Sequence, residues 1–157
     1  MKRVVLAMVP LLLLAAAPGC TESDLILAKK SYRGPLLSAN EVAIISTRGS
    51  VEIAKIDGLD CFDPLFGRQS RTRAVKCQPS AQVLPGLHDI ELEYASAPLA
   101  FGLTTPVGDA SITLSVDAEA GHIYLAHSRW LDERTWFWIE DQASGDVVAG
   151  LRPLADE

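Results

Sequence analysis

The heptapeptide His88-Asp89-Ile90-Glu91-Leu92-Glu93-Tyr94 decides the fold class. Ile90, Leu92 and Tyr94 recur at every second position, with Asp89, Glu91 and Glu93 between them. Successive side chains of an extended chain point to opposite faces, so this period of two gives one apolar face and one acidic face. The segment therefore reads as a half-buried strand. Leu84-Pro85-Gly86 just before it reads as a turn, because proline fixes one φ and glycine tolerates a positive one.

Working outward, the same grammar repeats. Upstream, Val42 to Ser46 is a short β-branched run, and Val51, Ile53 and Ile56 line a second strand ended by Asp57-Gly58. From Leu59 to Ser80 the periodicity is weak, and the stretch reads as a long loop. Ala95 to Asp109, rich in Ala, Pro, Gly and Thr, is a second connecting loop. Downstream, Ile112, Leu114 and Val116 alternate, Ala120-Gly121 turns, and Ile123 to His127 returns as a hairpin partner. Trp136-Phe137-Trp138-Ile139 starts another strand, Ser144-Gly145 turns, and Val147-Val148-Ala149 precedes a closing Gly150. About seven short strands with turn signals between them indicate an all-β domain, a single antiparallel β-sandwich.

The N-terminus follows different rules. Met1-Lys2-Arg3, an apolar run from Val4 to Ala17 and a small-residue break form an export leader. The run is short for a membrane span, which needs about 20 apolar residues, and Pro10 interrupts it. Ala17-Pro18-Gly19-Cys20 resembles the lipobox of bacterial lipoproteins, although the place usually held by Leu is taken by Ala17. The resemblance implies cleavage before Cys20, acylation of its sulfur and anchoring in a membrane of the cell envelope. Thr21, where an aspartate would signal retention, implies the outer membrane rather than the inner. The chain then divides into a signal peptide (1–19), a lipid-anchored tether (20–31), the β domain (32–151) and a C-terminal tail (152–157).

The chain carries 14 basic and 20 acidic residues, a net charge of −6. Losing Lys2 and Arg3 with the leader makes it −8. Such acidity argues against nucleic-acid binding through the surface as a whole. With Cys20 acylated, Cys61 and Cys77 remain as an even pair in an oxidising compartment, and a disulfide is expected. A metal pair is the weaker alternative, because there is no CxxC and no histidine at zinc-like spacing.

Two passages resemble a known architecture. Val83-Leu84-Pro85-Gly86-Leu87-His88-Asp89-Ile90-Glu91-Leu92, followed by Val116-Asp117-Ala118-Glu119-Ala120-Gly121-His122-Ile123-Tyr124, is similar to the turn-and-strand and hairpin of small PEGA-like, transthyretin-like β-sandwich modules of bacterial surface proteins. The resemblance spans roughly residues 32–150, where Trp138 to Asp141 and Gly145 to Gly150 look like the end of uncharacterised lipoproteins of this plan. It implies an accessory or binding domain and says little of activity.

Candidate sites are few. His88, His122 and His127 are the imidazoles available to a metal or to general-base chemistry; histidines holding turns by hydrogen bonds are the simpler reading. Asp89, Glu91 and Glu93 occupy a strand face that reads as solvated, not a pocket holding paired carboxylates. There is no GxSxG. No catalytic residue, cofactor or metal is therefore assigned, and the chain is read as non-enzymatic. Two clusters are candidates for partner binding. Arg68, Arg71, Arg73 and Lys76 fall within nine positions of the expected stapled loop, and could meet phosphate groups or simply be solvated. Trp136 and Trp138 share one strand face opposite Phe137; core filling and an exposed binding surface fit that pair equally well, whereas Phe137 is expected in the core. The expected partners are the membrane, through Cys20, and an envelope protein or glycan. The rival readings are an envelope hydrolase acting on glycan and an accessory subunit of an envelope complex.

Overall fold

The computed structural model describes residues 28–61, 77, 79–94 and 110–154, and the structural statements below concern these. Among them the protein is all-β. The strands are β1 (Lys29–Lys30), β2 (Ala43–Thr47), β3 (Val51–Ile56), β4 (Ser80–Val83), β5 (Gly86–Tyr94), β6 (Ser111–Ala118), β7 (Ile123–Leu131), β8 (Arg134–Asp141) and β9 (Val147–Gly150). They form two open sheets: a large one in the order β1-β4-β2-β7-β8-β9 and a small one in the order β3-β5-β6.

The expected seven antiparallel strands are thus corrected to nine, in one mixed sheet and one antiparallel sheet. β1 runs parallel to β4, and β2 parallel to β7, with Ile45 opposite Tyr124. A parallel pair needs a long crossover and leaves no turn signature between its strands. The hairpin expected between Ile112–Val116 and Ile123–His127 is also replaced. β6 pairs with β5 in the small sheet and β7 joins the large one, so the turn at Ala120-Gly121 carries the chain from one sheet to the other.

The quoted heptapeptide forms most of β5. Ile90 and Leu92 are fully buried, while Asp89 is exposed and Glu91 and Glu93 are partly so. They join one hydrophobic cluster drawn from both sheets, with Val51 and Ile53 of β3, Val116 of β6, Ile45 of β2, and Phe137 and Ile139 of β8. Cys61 and Cys77 are disulfide-bonded inside this cluster, with Cα atoms 5.0 Å apart. At the far corner Gly150 adopts φ 78°, and a Cβ there would overlap the Phe137 carbonyl and press on Leu114 of β6. Only glycine lets β9 lie this close to β8.

Two segments extend the ordered domain beyond its expected core. Lys29–Lys30, within the stretch read as tether, forms β1. Lys30 is 9% exposed; its ammonium donates to the Gly34 carbonyl and sits 4.8 Å from the centre of the Tyr32 ring, so a lysine stem is buried with its head satisfied. Tyr32, Leu37 and Ala39 then pack on Val42, Ile44 and Ile123, covering part of the large sheet's outer face. At the other end of that sheet, β7 and β8 form a long hairpin closed by Asp132 and Glu133, at φ 52° and 58°. Two consecutive left-handed residues are what a tight turn between twisted strands requires. Neither is glycine, which is why this turn carries no obvious sequence signal.

Candidate functional site

The β7–β8 hairpin decides which side chains reach the outer face of the large sheet. Its register places His127 opposite Trp138 and Arg129 opposite Trp136, with Leu125 opposite Glu140. Since Ala126, Phe137 and Ile139 point into the core, these alternate residues point away from it. The expected division is found: Phe137 is in the core, and Trp136 and Trp138 lie together on the opposite face.

Trp138 is the centre of this face. The His127 ring stacks on it, with centroids 5.0 Å apart and planes 9° from parallel. The Arg152 guanidinium lies over the indole 6.0 Å from its centroid and pairs with the Glu140 carboxylate. The same carboxylate accepts a 3.4 Å hydrogen bond from Trp138 Nε1, and its other oxygen is 3.1 Å from His127 Nε2 without the alignment of a hydrogen bond. Arg152, in the segment read as a tail, is therefore part of the folded surface. Burial, followed by the charges of Arg152 and Arg48, holds the His127 imidazole below its ordinary pKa. Glu140 does not reverse this, because its charge is already shared with Arg152. At neutral pH His127 is an uncharged ring filling the gap beside Trp138.

Around this stack the surface turns cationic. Arg48 continues β2 beside His127, Arg129 lies opposite Trp136, and Arg134 opens β8. All three are exposed, and their side chains make no hydrogen bond or ion pair with a described residue. The buried Nε1 of Trp136 also lacks a partner. Trp130, near the hairpin tip, is 44% exposed.

The other histidines do local work. His88 bridges two turns, with Nδ1 2.7 Å from Asp57 Oδ2 and Nε2 2.7 Å from the Leu84 carbonyl. His122 Nδ1 lies 2.5 Å from Asp141 Oδ2, while the other oxygen of Asp141 accepts the Ala143 and Ser144 amides. Burial pushes the Asp141 carboxyl up, but these hydrogen bonds outweigh it and hold the pKa below the ordinary value. This arrangement locks the turn before β7 to the turn after β8. Among the described residues the three histidines share no site, and no group of three His, Cys, Asp or Glu side chains is arranged to hold a metal.

Cys20 and the cluster Arg68, Arg71, Arg73 and Lys76 lie outside the described residues. The arginines that the structure gathers, Arg48, Arg129, Arg134 and Arg152, are dispersed over a hundred positions and are joined only by the pairing of β2, β7 and β8. Composition around the hairpin pair Arg129 and Arg134 gives no hint of Arg48 or Arg152. No protein-family model, curated protein or solved structure matches the chain.

Proposed function

We propose that this protein is a lipid-anchored module of the bacterial envelope, a β-sandwich of the PEGA-like or transthyretin-like kind that binds a partner without catalysis. The single observation carrying the binding reading is the arginine–tryptophan face of the large sheet. Three arginines that pair with no described residue surround a stacked aromatic centre in a chain whose net charge is −6. Such guanidinium groups on a fixed sheet suit recognition of phosphate or carboxylate by paired N–H donors. The described carboxylates with structural duties, Asp57, Asp141 and Glu140, are engaged with histidine or arginine, which favours a binding module over a hydrolase.

The address rests on the leader and Cys20. Its test is the intact mass and membrane retention of the full chain in its host, compared with Cys20→Ala. Cleavage before Cys20 with added acyl mass, and release of the variant from membranes, is the expected result. An unacylated soluble species from both chains contradicts the anchor.

A further inference from the structure

Charge is divided between the two sheets. Of the described basic residues, Lys29, Lys30, Arg33, Arg48, Arg129, Arg134 and Arg152 belong to the large sheet or its flanking segments, and only Lys55 to the small one. The small sheet carries Glu52, Asp89, Glu91, Glu93 and Asp117 on its strands. The large sheet and its flanking segments also carry Glu41, Asp132, Glu133, Glu140, Asp141 and Asp146, so their charges nearly balance. The small sheet is net acidic, and the cationic part of the surface is the patch of Arg48, Arg129 and Arg134 on the large sheet's outer face.

The start of the described chain lies on that same sheet. Residues 21–27 separate Cys20 from Ala28, a reach of at most roughly 27 Å for an extended chain. β1, entered directly after Ala28, is three strands from β7, or about 14 Å across the sheet. A tether of this length allows the outer face to meet the surface in which Cys20 is embedded. We infer that the arginine–tryptophan face docks on anionic lipid headgroups of the anchoring membrane, holding the acidic small sheet away from it. This inference rests on the lipoprotein reading for its geometry, but not for its chemistry.

Charge complementarity and composition favour this occupant over a glycan. Sugar-binding tryptophans offer an open ring face, whereas Trp138 is 9% exposed, with His127 stacked on it and Arg152 above it. The exposed groups are instead Arg48, Arg129 and Arg134, spread across three strands, with the partly exposed Trp136 opposite Arg129 and Leu36, 63% exposed, on the covering loop. Arginine with tryptophan and leucine over a broad sheet suits the headgroup zone of a bilayer, where basic residues meet phosphate and indoles sit at the interface.

The test uses residues 20–157 carrying Cys20→Ala, which retains every residue of both sheets and removes the anchor. Its co-sedimentation with vesicles of phosphatidylglycerol and phosphatidylethanolamine is compared with phosphatidylcholine vesicles. Binding to the anionic vesicles alone is expected, weakening with added salt. The double variant Arg129→Glu and Arg134→Glu should bind roughly a hundredfold more weakly, given the contribution of each basic residue near a charged surface. Lys55→Glu on the small sheet, with the same circular dichroism, should bind as the parent does. No binding to anionic vesicles overturns the inference, as does equal loss in the Lys55 variant. Binding to an acidic polysaccharide but not to vesicles also overturns it, and assigns the face to a glycan. Because no anchor is present, failure here leaves the acylation of Cys20 standing, and failure of acylation leaves vesicle binding intact.

Discussion

The outer faces of the two sheets obey the same alternation and end in opposite chemistries. On the small sheet, Asp89, Glu91 and Glu93 of β5 face outward beyond Leu87, and the apolar residues between them build the core. On the large sheet, the outward set on β7 and β8 is His127, Arg129, Trp136, Trp138 and Glu140, which pack on one another. The first face is what a strand looks like when its outward side only has to be soluble. The second has its own layer of packed and paired side chains, with arginines at its margin that pair with no described residue. A face with internal structure is a face that a partner can read.

That contrast is most easily broken by truncation. Trp138→Ala should cost about 3 kcal/mol or more in denaturant unfolding, since it removes a buried indole together with its contacts to His127 and Arg152. Glu91→Ala, on the opposite outer face, should stay within about 0.5 kcal/mol. Equal and small effects at both sites would mean that the tryptophan face is as passive as the acidic one.

Removing the disulfide comes next. Cys61→Ala with Cys77→Ala frees a loop with a sequence separation of 16 and should cost about 3 kcal/mol, measured against the oxidised protein. The vesicle binding of a still-folded double variant should be unchanged, because the bond lies in the core between the sheets.

The turn lock at His122 and Asp141 should be worth about 2 kcal/mol, read from Asp141→Asn at neutral pH. Its pH dependence has a definite sign. The folded carboxyl is held below its ordinary value of 3.8, so its contribution is complete above that pH and is lost as the pH falls further. The acid limb of the unfolding curve should flatten in the variant.

His127 gives the smallest effect, in a different window. Its folded pKa is below the ordinary 6.5, so the unfolded chain takes up the proton first and stability declines as the pH drops from neutral through that region. The decline should be less than about 1 kcal/mol and should vanish in His127→Gln. A rise in stability on acidification would show that Glu140 outweighs burial and the two arginines.

Where physics is local, the sequence was legible. β5 could be read from Ile90, Leu92 and Tyr94, the core position of Phe137 from its place between two tryptophans, and the Cys61–Cys77 bond from parity and compartment. The misses share a cause. β1 hides behind two lysines whose stems are buried. β4, Ser80–Val83, hides in a polar stretch where Gln82 is fully buried and its side-chain oxygen accepts from the Tyr32 hydroxyl. The parallel pairing of β2 with β7 is set by contacts far apart in the chain, and it brings Arg48 beside His127. Attention to contiguous charge selected Arg68 to Lys76, while Arg48 and Arg152 are brought to the hairpin arginines Arg129 and Arg134 only by strand pairing.

If the protein docks as proposed, it does so through the outer face of the large sheet and not through that of the small one. Hydroxyl-radical footprinting of the full chain in intact envelopes, compared with the detergent-extracted protein and read by mass spectrometry, tests it directly. Protection of Trp136 on docking is expected, with Leu87 on the outer face of the small sheet labelled equally in both states. Protection at Leu87, or equal labelling of Trp136 before and after extraction, would contradict it.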